Sequence, residues 1–159
     1  MKRIFSIFLI AGLILAGTGF CRAFADGPDA QSQLARDFSQ TAMDKFQSIN
    51  DTQLNYAAVS DQVDEYARNF ARILVKAGVE QKTAGMVMQE SAGWYGQALK
   101  DLFNGKPYND IIQDYSGKIA GLFKQQNLKL DAQMKIVDMT SDNLESLRTL
   151  FRGLEEADY

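Results

Sequence analysis

The spacing of apolar residues constrains this chain most. Tyr56, Val59, Val63, Tyr66, Phe70 and Ile73 recur at alternating intervals of three and four. At about 3.6 residues per turn, that spacing lines all of them up on one stripe of an α-helix, whereas a strand would scatter them over both faces. The opposite side carries Asp61, Asp64, Glu65, Arg68, Asn69 and Arg72. Such a stripe is the seam of a left-handed bundle or coiled coil, and it has to be covered by another apolar surface.

The same period runs through most of the chain. A first helix is predicted over about residues 29–48, with Asp29 as N-cap and Leu34, Phe38, Ala42, Phe46 and Ile49 on one side. The second covers about residues 52–76, with Gly78 as its left-handed stop. A third, over about 80–103, carries the arc Val87, Met88, Ser91, Trp94, Tyr95, Ala98, Leu99 and Leu102. Gly105 ends it and Pro107 opens the fourth, over about 107–126, whose stripe is Tyr108, Ile112, Tyr115, Ile119 and Leu122, joined by Ile111 and Phe123. Near the C-terminus, Asp142 and Glu145 read as a capping box for a helix over about 142–156, with Leu144, Leu147, Phe151 and Leu154 facing inward. Leu128 to Met139 is ambiguous. Leu128, Leu130, Ala132, Met134 and Ile136 alternate as in a strand, but the residue types favour helix and a lone strand has no partner. A short helix over Asp131–Met139 is expected there.

The expectation is therefore an all-α fold. It is an up-down helical bundle of four main amphipathic helices plus one short helix, in a single domain over residues 26–159. Short connections make neighbouring helices antiparallel.

The first 25 residues read as an address. Lys2 and Arg3 precede the uncharged apolar run Ile4 to Gly17, and Ala23-Phe24-Ala25 is an A-x-A cleavage signature ahead of Asp26-Gly27-Pro28. A Sec signal peptide cleaved after Ala25 would place the mature chain in the periplasm or outside the cell. Two rival readings are weaker. A lipoprotein cut before Cys21 would have the bulky Phe20 where a small residue is preferred. An uncleaved anchor would have only Ile4 to Phe20, short of the ~20 residues a span requires. No later stretch is apolar enough to remain in a membrane.

Cleavage changes the chemistry available. Of 159 residues, 134 remain once the first 25 are removed. The 17 basic side chains lose Lys2, Arg3 and Arg22, which leaves 14 against 20 acidic ones and a net charge of −6. Cys21, the one cysteine, goes too, and the chain has no histidine. That excludes disulfides, thiolate or imidazole metal ligands, a cysteine nucleophile and a Ser-His-Asp relay. The acidic balance argues against nucleic acid, whose binding needs clustered Lys and Arg. Asp110 with Asp114, and Asp61 with Asp64 and Glu65, lie opposite the apolar stripes, where solvated charge belongs. Met86 and Met88 point about 200° apart on a helix and cannot converge on one copper ion. No cofactor and no metal site is expected.

What remains points to binding. Met86 falls on the polar side of the third helix and Trp94 at the margin of its apolar arc; both residue types bury large area at low ordering cost. Gly85 and Gly96 share one edge with Ala92. Each glycine costs about 1 kcal/mol against alanine inside a helix, a cost that close approach of a neighbouring or partner helix would offset. The tyrosines Tyr56, Tyr66, Tyr95, Tyr108 and Tyr115 are expected to keep rings in the core and hydroxyls at its rim. The leading expectation is an exported, non-enzymatic protein that binds another protein of the cell envelope, such as an accessory factor, chaperone, inhibitor or secretion-apparatus component. The expected contact residues are Met86, Trp94, Gly85 and Gly96. The alternative is a carrier of a lipid or other apolar small molecule, which requires an interior cavity of roughly 300 Å3 or more.

Overall fold

The computed structural model describes residues 27–47 and 55–156. The signal segment, Ile49 and the first residues of the predicted second helix lie outside them. Five helices and no strand make up the described residues: α1 (Gly27–Phe46), α2 (Tyr56–Lys76), α3 (Gln81–Phe103), α4 (Tyr108–Gln125) and α5 (Leu130–Glu156). The fold is all-α. None of these helices is long and apolar enough to cross a membrane.

Three of the helices stop in the same way. After α2, Gly78 has φ 75°; its N–H donates to the Val75 carbonyl at 2.9 Å and that of Val79 to Leu74 at 3.1 Å. After α3, Gly105 has φ 79°, with its N–H donating to Leu102 and that of Lys106 to Asp101. After α4 the left-handed residue is Asn127, φ 52°, with its own N–H bonded to Lys124 and that of Leu128 to Phe123. These paired bonds satisfy carbonyls that a helix end otherwise leaves open. Asn127 is a stop that Gly-based reading misses, because asparagine tolerates the left-handed region for local polar reasons. At its start α2 is capped by Asn55, whose Oδ1 accepts from the Ala58 N–H at 3.1 Å.

Two boundaries differ from expectation. Asp29 sits inside the first turn of α1, where its charge meets the positive end of the helix, rather than preceding it as a cap. The short helix Asp131–Met139 and the helix starting at Asp142 are one continuous 27-residue helix, α5. Asp142 and Glu145 are interior residues, not a capping box. No Gly or Pro interrupts Leu130 to Arg152, and Thr140 bonds its hydroxyl back to the Ile136 carbonyl at 2.6 Å, so it can be buried without breaking the helix. The inward face is Ala132, Ile136, Thr140, Leu144, Leu147 and Phe151, and it passes straight through the supposed junction. Leu130 and Met134, which produced the strand-like alternation, are 64% and 55% exposed.

α1 lies against α3 and α2; α2 also packs on α5, α3 on α4, and α4 on α5. Aromatic rings fill the shared core. At one end Phe46 stacks on Phe151 with centroids 5.8 Å apart, and Phe103 meets both edge-on. At mid-height Phe38 of α1 touches Tyr66, Phe70 and Tyr95. At Gly96 α3 packs directly on the α1 backbone. A Cβ there would collide with the Ala42 carbonyl oxygen and lie 2.8 Å from Lys45 Cβ. Because one obstacle is backbone, no rotamer change relieves it.

Gly96→Ala is therefore expected to destabilise the fold by about 1–3 kcal/mol, the usual cost of overpacking. Gly117→Ala, at an exposed α4 position whose Cβ meets nothing within 4 Å, should gain up to about 1 kcal/mol. Urea titrations of the two variants by circular dichroism measure the contrast; equal midpoints would refute the close approach.

Candidate functional site

The four residues singled out on α3 do not share one surface. Gly85 and Gly96 both face α1. Trp94 lies about 160–180° away round the helix, half-buried and packed against the core. Gly96 is buried under Ala42 and offers nothing to a partner. Gly85 is more open, since a Cβ there would sit 3.6 Å from Leu34 Cδ2, an ordinary contact. Met86, 38% exposed, is its immediate neighbour. Met88 is buried, so the two methionines do point apart.

Beyond the Gly96 contact, α1 and α3 leave a groove of about 440 Å3 open to solvent. Leu34, Phe38, Gly85 and Met88 give it an apolar floor, with Asp37 and Asp44 on its α1 side. A second concavity, of about 530 Å3, lies between α2 and α5 and is polar, lined by Gln62, Glu65, Asn69, Asp142, Asn143 and Ser146, with Tyr66 and Met139. Among the described residues no group of three or more His, Cys, Asp or Glu is placed to hold a metal ion. Of the carboxylates noted in the sequence, Asp114 pairs with Lys118 at 2.7 Å on the exposed face of α4.

The tyrosines depart most from expectation. Tyr66, Tyr95 and Tyr115 are buried together with their hydroxyls. Tyr66 stacks on Tyr95 at 4.3 Å and 11°, and Tyr115 meets Tyr95 edge-on at 6.0 Å. The Tyr66 hydroxyl shares hydrogen bonds with Tyr115 Oη at 2.9 Å and Thr140 Oγ1 at 2.8 Å. The Tyr95 hydroxyl donates to Asn143 Oδ1, and Asn143 Nδ2 donates to the Gln62 carbonyl at 3.3 Å. A buried hydroxyl without a partner is costly, so these could leave the rim only as a set. Neither Thr140 nor Asn143 was legible as a partner, because Thr140 falls between the two helices expected there and Asn143 at the expected start of the second. Tyr108 follows the expected pattern, half-buried with its hydroxyl bonded to the Ser141 carbonyl at 2.7 Å and the Arg148 guanidinium 5.4 Å from its ring centre.

Burial pushes all three central hydroxyls well above the ordinary tyrosine value. For Tyr66 the bonds to Thr140 and Tyr115 oppose that rise without cancelling it. For Tyr95 and Tyr115 burial is again the main cause, and the neighbouring Tyr66 adds to it. These groups stay protonated and serve as hydrogen-bonding struts. Unfolding returns them to about 10, so between that value and their folded values the unfolded chain binds fewer protons and stability falls. Helical signal should be flat from neutral pH to about pH 10 and then lost, with a slope of up to about 1.4 kcal/mol per pH unit for each such tyrosine. Phenolate absorbance should rise in the same step. Phenolate appearing while the helices persist would show that the rings are accessible.

Comparison with protein-family models, with curated proteins and with solved structures finds no significant match for this chain.

Proposed function

We propose that this chain is an exported, non-enzymatic helical bundle of up-down topology, forming one domain after cleavage behind Ala25, and that it acts by binding another protein of the cell envelope. The observation that carries the reading is the α1–α3 groove. It brings Leu34, Gly85 and the edges of Phe38 and Met88 together with Gln40, Thr41 and Gln89, and the exposed Met86 follows Gly85 on α3. Grooves of that kind between helices accept an apolar helix face, and methionine adapts to its shape. Asp37 and Asp44 on the same rim favour a partner segment with basic flanks.

The up-down topology is supported by cross-helix pairs. Gln62 meets Asn143 while Tyr66 meets Thr140, so α2 and α5 run in opposite directions. Gly85 meets Leu34 while Gly96 meets Ala42, so α1 and α3 run in the same direction. Export is supported by the signal-peptide pattern of the first 25 residues. The interior-carrier alternative draws no support from the core, where stacked rings occupy the middle.

Two measurements test the proposal. Terminal sequencing of the processed chain should begin at Asp26; a lipid-modified Cys21, or an intact Met1, would reverse the address. Gly85→Gln should preserve or raise helix stability, because it removes a helical glycine, while filling the groove and lowering recovery of the cross-linked partner by about tenfold or more. Unchanged recovery would displace the contact surface from this groove.

A further inference from the structure

On the other side of α1, facing α2, lies a smaller groove of about 220 Å3. It is lined by Ser32, Ala35, Arg36 and Ser39 from α1 and by Asp64 and Arg68 from α2. We propose that it is a binding site for a free α-amino acid in its zwitterionic form.

Three observations carry this. Ser39 is only 6% exposed, yet its hydroxyl has no hydrogen-bond partner. A buried donor normally finds a mate, and a serine in a helix has its own upstream carbonyl at hand; this hydroxyl instead stays unpaired, enclosed within a residue that lines the groove. Asp64 and Arg68 stand one turn apart with the acid N-terminal, the favourable order for an ion pair, but no ion pair joins them among the described residues. Arg36 donates one Nη2 hydrogen bond to Gln33 Oε1 at 2.9 Å, and a guanidinium has several donors left to offer.

The lining therefore presents charges of both signs and an unpaired hydroxyl around the small side chain of Ala35. A simple anion would meet the Asp64 carboxylate. A simple cation would meet two guanidiniums. A zwitterion satisfies both sets: its carboxylate accepts from Arg68, Arg36 and the Ser39 hydroxyl, and its ammonium donates to Asp64. Charge-assisted bonds of this type are the stronger class. The volume equals that of about seven waters at about 30 Å3 each, enough for the α-groups and a compact side chain. The site lies about 180° round α1 from the α1–α3 groove, so it is separate from the protein-binding surface proposed above.

Calorimetric titration of the mature chain with glycine and L-alanine, N-acetylglycine, glycinamide and inorganic phosphate tests the assignment. Glycine or alanine should bind saturably, and each singly blocked compound about tenfold more weakly or worse, because one charge has lost its mate. Arg68→Gln and Asp64→Asn change groove-lining side chains outside the core, so the fold should survive while affinity falls by about tenfold. Ser39→Ala should weaken binding while raising the unfolding midpoint, since it removes an unpaired buried group. A serine that only supports the fold would lower that midpoint. No saturable binding up to about 10 mM, or phosphate or N-acetylglycine binding as tightly as glycine, would overturn the proposal, as would unchanged affinity in Arg68→Gln.

Discussion

The rest of the structure depends on burying the Tyr66 hydroxyl. Its ring stacks on Tyr95 from α3 and touches Phe38 from α1, while its oxygen reaches Tyr115 on α4 and Thr140 on α5. All five helices thus converge on one α2 side chain. Apolar stripes alone would let helices slide and rotate, because hydrophobic contact is non-directional. A buried hydroxyl that must find its partners does not allow that freedom. The network converts a generic helical core into one with a fixed register, and it does so with uncharged groups whose desolvation is tolerable.

The same register explains where the surface is open. α1 is held to α3 at Gly96, where a helix backbone and a side-chain-free position meet. Toward Gly85 the two helices are no longer in such close contact, and the groove forms there. Facing α2, α1 presents small residues, Ala35 and Ser39, which leave the narrower, charged recess beside Asp64 and Arg68. One helix therefore separates two concavities of different lining, the first with Leu34, Phe38 and Met88 among acidic and amide side chains and the second with Arg36, Asp64 and Arg68 around Ala35. Neither is made by a loop; both follow from the sizes of residues on a rigid helix.

The all-α character, the stripe on α2 and the stops at Gly78 and Gly105 were legible in the sequence because each depends on local geometry. Helical periodicity is a property of neighbours three and four apart, and a left-handed stop is a property of one residue. The break assumed between Met139 and Asp142 was an error of the same local reasoning. It read Asp142 and Glu145 as a capping box, when Thr140 just before them satisfies itself on Ile136 and faces the core, so the helix runs on. Asn127 was overlooked as a stop because only a few asparagines adopt that conformation, and nothing in the local sequence marks which.

The sequence by itself determined which residue types are absent after Ala25, where Gly78 and Gly105 stop their helices and which stripe of each helix must be covered. Those are consequences of composition and of a fixed number of residues per turn. Only the tertiary structure decided that Gly96 is closed by a neighbouring backbone while Gly85 is open, that the tyrosine hydroxyls leave the rim for the centre, and that Ser39 stays unpaired beside Asp64 and Arg68. Each depends on which helix lies opposite and at what height, and no periodicity within one helix carries that information.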